Sequence, residues 1–195
     1  MTENKISFAS VKSGSTSKCC NMLGDKIKTE LGLFKDQIVS ISVHDSRVHH
    51  GDLEAVVFYR EKSIVANSEP TESIKYNIVE RDEDAEWGEI LNETLMNVNG
   101  RSQQTIGISS TFRNVGDEKI ACSFNVSGRQ GTIYQQVFSD KCSWDDLLDQ
   151  AEQFLNDYIT PSEFLGLTLF EDEHPLMERE AASGKRNVII YHTAG

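Results

Sequence analysis

The sequence predicts an α+β fold, with a largely antiparallel or mixed sheet of about eight or nine strands and three main helices packed on one face of that sheet. Strand-like segments, in which apolar and polar residues alternate, occur in runs rather than singly between helices. Several gaps between successive strand-like segments are also too short for a crossover to a parallel strand. The predicted order of elements is therefore β-α-β-β-β-α-β-β-β-α-β-β.

The first strand and the first helix are joined by a short polar corner. Alternation in KISFASV, residues 5–11, predicts the strand. Beyond it, apolar residues at three- and four-residue spacing predict a helix from Ser17 to Leu31. Gly32 can then end that helix in a left-handed conformation. A strand-to-helix corner is therefore expected around residue 14.

The middle of the chain predicts a hairpin, a further strand and a second helix. QIVSISVHDS and DLEAVVFYRE form the hairpin, and SIKYNIVE is the further strand. The acidic stretch ERDEDAE leads into the helix, whose apolar side begins at Trp87. Because the helix dipole favours negative side chains at the N-terminus, this acidic stretch needs no bound cation.

The last part of the chain predicts three strands, a helix and two more strands. Short turns separate the three strands, which predicts an antiparallel meander. The three strand segments are QTIGISSTF, KIACSFNVSG and GTIYQQVFSD. The helix is capped by Ser143 and carries an apolar face as far as Tyr158. LGLTLF and NVIIYHT follow, and the second of these is apolar enough to be a central strand.

Composition places the chain among globular proteins. Its 195 residues are enough for a single domain, residues 1–195, with a hint of two similar halves at about 1–100 and 101–195. The net charge of −12 disfavours binding to nucleic acid or to an anionic membrane. No apolar segment has the length of a signal peptide or a membrane span, so we expect a cytoplasmic location and reduced cysteines.

Two chemical hypotheses concern the corner after the first strand. An anion could be held at the start of the helix by Ser15, Thr16, Ser17 and Lys18. The glycine pattern of a P-loop is absent from this corner. Cys19 lies in the first helical turn beside a lysine, where positive charge and the helix dipole favour a reactive thiolate. The alternative to both hypotheses is an ordinary corner capped by serine.

A third hypothesis concerns the hairpin segment VHDSRVHHGD, residues 43–52. Imidazole and carboxylate groups bind zinc and other transition metals. The candidate ligands are His44, His49, His50 and Asp52, with Glu173, His174 or His192 as further ligands. The spacing matches no established metal motif, and polar residues are also what a turn requires. The segment is therefore interpreted either as a metal site or as an ordinary turn.

These observations give two functional hypotheses. The first is a non-catalytic cytosolic interaction or regulatory module that binds a protein partner or self-associates and needs no cofactor, because catalytic and metal-binding groups do not occur at diagnostic spacing. The second is a metal-dependent enzyme, or a binder of a small molecule or anion. It would use the hairpin of residues 44–52 and the corner of residues 14–18, with a divalent metal as cofactor. It requires these segments, and the acidic residues 171–174, to line one cleft.

Overall fold

The computed structural model confirms the α+β class. It describes residues 5–46, 52–61, 74–99, 103–113, 115–128, 131–140, 143–160, 163–172 and 185–193. Within these residues, nine strands and three main helices occur in the order expected from the sequence. The strands are β1 (Ile6–Ser13), β2 (Ile38–Asp45), β3 (Leu53–Arg60), β4 (Lys75–Asp82), β5 (Gln103–Arg113), β6 (Glu118–Ser127), β7 (Ile133–Asp140), β8 (Phe164–Asp172) and β9 (Lys185–Thr193). The main helices are α1 (Thr16–Asp25), α2 (Trp87–Asn99) and α3 (Trp144–Tyr158).

The strands form three small antiparallel sheets rather than one large sheet. Sheet 1 has the strand order β1-β3-β2, sheet 2 has β4-β6-β5 and sheet 3 has β7-β9-β8. Each sheet belongs to one βαββ unit, in which a helix follows the first strand. The last strand of the unit lies in the centre of the sheet, between the other two strands. The same unit therefore occurs three times along the chain, as units 1, 2 and 3. The suggested boundary near residue 100 falls inside unit 2.

The expectation of a single sheet of eight or nine strands with all helices on one face is wrong in these details. The expected meander is also divided, because β5 pairs with β6 but β7 pairs with β9 in sheet 3. A short connection limits the distance between two successive strands, but the two strands can still belong to different sheets. Pairing here follows the repeat unit, which places each third strand between the first two.

The edge strands β2, β5 and β8 join the units, since β5 lies against both β2 and β8. Each has a bulge near its start, and the residue after the bulge is Ser40, Gly107 or Gly166. A Cβ atom at Gly107 would lie 2.9 Å from the carbonyl oxygen of Ile41. One at Gly166 would lie 2.8 Å from the carbonyl oxygen of Ile108. Glycine therefore lets the backbone of each unit approach the backbone of the unit before it.

The side chain of Ser109 completes the contact between β2 and β5. Its hydroxyl accepts a hydrogen bond from the N–H of Val43 at 3.0 Å and donates one to the carbonyl of Val43 at 2.9 Å. Because β2 is an edge of sheet 1, these buried backbone groups have no strand partner on that side. A side chain of unit 2 thus satisfies the edge of sheet 1.

Serine caps begin two of the helices. The hydroxyl of Ser15 accepts a hydrogen bond from the N–H of Lys18 at 3.5 Å, and that of Ser143 accepts one from the N–H of Asp146 at 3.1 Å. A π-helical segment, Lys26–Glu30, continues α1, and Gly32 lies just beyond its end with a left-handed φ of 58°. The caps expected from the sequence are confirmed, although α1 begins one residue earlier than expected, at position 16.

Helices α1 and α2 each lie between two sheets. The first apolar cluster combines α1 with the inner face of sheet 1 and with strands β4 and β6 of sheet 2. The second combines α2 with sheet 2 and with strands β7 and β9 of sheet 3. A third, smaller cluster joins α3 to sheet 3. Sheets and helices therefore alternate in a stack, and the core is shared between successive units.

Candidate functional site

One aromatic position recurs in the central strand of every sheet. Phe58, Phe124 and Tyr191 are equivalent, because each pairs with the residue that follows the bulge in the neighbouring edge strand. Phe124 and Tyr191 are 0% exposed, whereas Phe58 is 40% exposed. The chemistry of the position is thus the same in the three units while its burial differs. The difference depends on what packs against each sheet.

Helix α1 covers this position in sheet 2. Phe124 belongs to the apolar cluster that contains α1. Hydrogen bonds also attach the first turn of α1 to β4, because the hydroxyl of Thr16 donates to the carboxylate of Glu80. The hydroxyls of Ser17 and Tyr76 lie 3.0 Å apart and form a second bond. The outer face of sheet 2 is therefore occupied by the helix of the preceding unit.

Helix α2 covers the same position in sheet 3. Tyr191 belongs to the apolar cluster that contains α2. The side-chain oxygen of Asn99 accepts a hydrogen bond from the N–H of Ile133 at 2.8 Å, and its amide donates to the carbonyl of Ile133 at 3.0 Å. Successive units are therefore joined twice by one arrangement, in which the helix of one unit packs on the outer face of the next sheet.

The outer face of sheet 1 carries no helix among the described residues. We call its apolar residues, Ile6, Phe8, Val56 and Phe58, the open face; they alternate along the paired strands β1 and β3. Ile6 is 56% exposed and Phe8 is 68% exposed. The rings of Phe8 and Phe58 contact each other, with centroids 6.0 Å apart. Val56 is only 8% exposed, so the exposed apolar surface consists of Ile6, Phe8 and Phe58. An exposed apolar surface with two aromatic rings in contact is typical of an interaction site.

A polar cluster adjoins the open face. Oε2 of Glu54 lies 3.4 Å from Nζ of Lys12 and 3.7 Å from Nε2 of His44. A hydrogen bond from Ser10 lowers the pKa of Glu54 below its ordinary value, and the charges of Lys12 and His44 add to this effect. Glu54 is therefore ionised at neutral pH and compensates the charge of Lys12.

The opposite end of the stack is polar. The outer side of α3, on which no sheet packs among the described residues, exposes Asp149 and Glu152 beside Leu148. Glu152 is the ninth residue of α3, and the ninth residues of α1 and α2 are Gly24 and Leu95. Terminal units of repeat proteins need a polar outer face for solubility. The α3 end meets this requirement, whereas the open face does not.

The corner proposed to bind an anion uses its hydroxyl groups within the protein, while the side chain of Lys18 is exposed. Ser15 caps α1, while the hydroxyls of Thr16 and Ser17 bind side chains of β4. The carboxylate of Glu80 places a negative charge beside Thr16, and this charge disfavours an anion there. These contacts favour the interpretation of residues 14–18 as a structural corner between units 1 and 2.

Cys19 is buried rather than exposed. Its side chain is 0% exposed, and its Sγ lies 3.4 Å from the carbonyl oxygen of Leu53. Burial raises the pKa of the Cys19 thiol to about 11. Burial and the raised pKa both oppose the reactive thiolate hypothesised for Cys19, because the first turn of α1 directs this side chain onto sheet 1. The described cysteines, which include Cys20 and Cys122, are buried and form no disulfide.

Alkylation of Cys19 by iodoacetamide at pH 8 is expected to be at least about 100-fold slower in the folded protein than in urea. Raising the pKa of this thiol from 9.0 to about 11 lowers its thiolate fraction by about 100-fold, and burial slows the reaction further. Pulse labelling followed by peptide mass spectrometry measures the two rates. Similar rates in both states would contradict the burial of this thiol.

The described part of the hairpin segment contributes two of the candidate metal ligands. His44 is exposed on the outer face of sheet 1 near Glu54. Asp52 accepts a hydrogen bond from the N–H of Ser46 through its backbone carbonyl, at 2.8 Å. The candidate ligands His49, His50, Glu173 and His174 lie outside the described residues. Among the described residues, no group of three or more His, Cys, Asp or Glu side chains could hold a metal ion.

The candidate segments occupy different surfaces. The ends of β1 and β2 both lie beside Leu53, so the corner and the hairpin begin at the same end of sheet 1. However, α1 extends over the inner face of the sheet, whereas His44 and Glu54 lie on the outer face. His192 belongs to sheet 3, where its ring stacks on Tyr134 at 5.9 Å. The described residues of these segments therefore do not line one cleft.

Comparisons with models of known protein families, with curated proteins and with solved structures gave no match. None of the helices in the described ranges has both the length and the apolar character needed to cross a membrane.

Sequence reasoning missed the open face, because its residues have the same alternation as residues of a buried strand. A signal for the repeat was nevertheless present. The segments VSIS (39–42), IGIS (106–109) and LGLT (165–168) share an aliphatic, small, aliphatic and hydroxyl-bearing residue in that order. Aligning them defines the three repeat units.

Proposed function

We propose that this chain is a non-catalytic protein-interaction module whose binding site is the open face. The observation that carries the proposal is the unequal burial of one aromatic position. Phe124 and Tyr191 are covered by helices, whereas Phe58 at the equivalent position of sheet 1 is exposed. A partner protein would supply the cover that the described residues do not provide for sheet 1.

The composition of the open face supports this proposal. Burying an exposed phenylalanine side chain contributes about 1.5–3 kcal/mol, and Phe8 and Phe58 lie side by side. Aromatic residues commonly provide the energetic centre of a protein interface, with polar residues at its rim. The Lys12, His44 and Glu54 cluster supplies such a rim at one end of the open face.

The catalytic alternative has less support from the described residues. At the corner, the carboxylate of Glu80 opposes anion binding. At the hairpin, the carboxylate beside His44 among the described residues is that of Glu54. The described residues of the two segments do not present the nucleophile, base or metal-ligand set that a reaction would require. A surface that lacks such groups but exposes aromatic residues is better suited to binding a protein.

Photo-crosslinking at the open face tests the proposal. The photoreactive residue p-benzoylphenylalanine replaces Phe8 in one protein and Met96 in a matched control. Met96 is 78% exposed on α2, away from the open face, so both probes are accessible. Each protein is irradiated in extract of the source cells, and crosslinked proteins are identified by mass spectrometry. We expect a partner that reacts with position 8 but not with position 96.

A second variant tests whether the crosslink depends on the open face. Phe58→Asp places a charge beside the probe at position 8 and is expected to lower the crosslinking yield at least tenfold. Because Phe58 is half-exposed, the folded structure should persist, and circular dichroism checks this point. Equal yields with and without the Phe58→Asp change, or the same proteins at positions 8 and 96, would overturn the proposal.

A further inference from the structure

We infer that the partner segment seated on the open face is an amphipathic α-helix, placed as α1 is placed on sheet 2. This inference rests on the proposed function and adds the kind of partner. The outer faces of sheets 1 and 2 match. Phe58 pairs with Phe8 in sheet 1, and Phe124 pairs with Tyr76 in sheet 2. An isoleucine lies two positions before the aromatic residue in both cases, within β1 in sheet 1 and one residue before the start of β4 in sheet 2.

The residues that the covering helices present have a common spacing. The fifth, ninth and twelfth residues of α2 are Leu91, Leu95 and Val98. The fifth and ninth residues of α1 are Cys20 and Gly24, and Ile27 follows in the π-helical segment that continues α1. The ideal Cβ of Gly24 lies 3.8 Å from Cβ of Ile74, on the outer face of sheet 2. The partner helix should therefore present small or apolar residues at positions i, i+4 and i+7.

The N-terminal end of the covering helix contacts a charged residue of the sheet. Thr16 in the first turn of α1 donates to Glu80 of β4. Lys12 of sheet 1 occupies the position that Glu80 occupies in sheet 2. Lys12 pairs with Glu54 and Glu80 pairs with Ile120, and each of these partners lies four residues before the aromatic position. The ammonium group of Lys12 has three N–H donors, so beside its contact with Glu54 it can also donate to an oxygen acceptor, neutral or acidic, in the first turn of the partner helix.

Other occupants fit less well. A second copy could dock through α3, whose i, i+4, i+7 stripe is Leu148, Glu152 and Leu155. Docking would bury Glu152 at the place where α2 has the apolar Leu95. Burial of an unpaired carboxylate is unfavourable. An added β-strand would pair with the edge of sheet 1 and leave Phe8 and Phe58 exposed on its face. A helix is the element that covers both aromatic rings.

A tethered probe tests the helical inference even while the natural partner is unidentified. The probe is the peptide of residues 86–99, which contains the apolar stripe of α2, no cysteine, and Glu89 in its first turn. It is fused through a flexible Gly/Ser linker to the N-terminus of the full chain, so that even weak docking becomes intramolecular. The matched control fusion carries Leu95→Asp in the probe copy alone.

The probe is expected to raise the melting temperature by about 2–4 °C relative to the Leu95→Asp control fusion. Phe58→Asp in the main chain should abolish this difference. With p-benzoylphenylalanine at position 8, crosslinks should fall on the Leu91, Leu95 and Val98 side of the probe. Equal melting temperatures, or crosslinks spread around the whole probe helix, would overturn the inference.

The two experiments separate the two proposals. A partner crosslinked at position 8 in extract, combined with a probe that does not dock, would support the proposed function and refute the helical partner. If the probe docks but no partner crosslinks at position 8 in extract, the open face accepts a helix, but the proposed function and the helical partner are both refuted. Covalent dimers linking position 8 to α3 of a second chain would also refute the inference, because the occupant would then be a second copy.

Discussion

Phe124→Ala is expected to lower the free energy of unfolding by about 3–5 kcal/mol, the usual cost of removing a fully buried phenylalanine ring. Phe124 is 0% exposed and contributes to the core that α1 forms between sheets 1 and 2. Its removal leaves a cavity at the junction of two units, where neither sheet can close without moving the helix. Urea unfolding followed by circular dichroism measures the loss.

Phe58→Ala is the matched control, because Phe58 occupies the equivalent position in sheet 1. Since its ring is already partly in water, the expected cost is about 1 kcal/mol or less. The same chemical change should therefore give two clearly different results. Equal losses at the two positions would show that the open face is covered in the free protein, and they would remove the basis of the proposed function.

Gly107→Ala is expected to lower the free energy of unfolding by at least about 2 kcal/mol. The added methyl group would lie 2.9 Å from the carbonyl oxygen of Ile41, which is a backbone atom that no rotamer change can move away. Strands β2 and β5 would have to separate, and the bonds between Ser109 and Val43 would weaken as a result. Thermal or urea unfolding of the purified variant checks this expectation.

Two further glycine variants show whether the loss comes from close approach of the units. Gly166→Ala should cause a similar loss, because its methyl group would lie 2.8 Å from the carbonyl oxygen of Ile108 at the next junction. Gly88→Ala meets no atom within 4 Å and lies in α2, so it should increase the stability by about 0.5 kcal/mol. Comparable losses at positions 88 and 107 would contradict the proposed packing of the edge strands.

Local patterns predicted the elements well, because they are set by interactions between near neighbours. The helix cap at Ser143 depends on a hydrogen bond that spans three residues. The hairpin of β2 and β3 follows from alternation and a short connection, and the central position of β9 follows from its continuous apolar run. None of these features depends on the other units.

The candidate site was less accessible from the sequence, because burial depends on what packs against a surface. Ile6 and Phe8 alternate in β1 as core residues do, yet they are exposed because no helix of the described chain reaches them. Cys19 is the opposite case. Its lysine neighbour and helix position favour a reactive thiol, but sheet 1 covers its side chain and raises its pKa.

By itself, the sequence determined the α+β class, the order of the strands and helices, and the excess of negative charge. These properties follow from composition and from periodicities that act over a few residues. The tertiary structure alone decided that the strands divide into three sheets, that α1 and α2 each cover the next sheet, and that sheet 1 has no cover among the described residues. Those outcomes depend on contacts between residues far apart in the chain, such as Gly107 with Ile41, for which local periodicity carries no information.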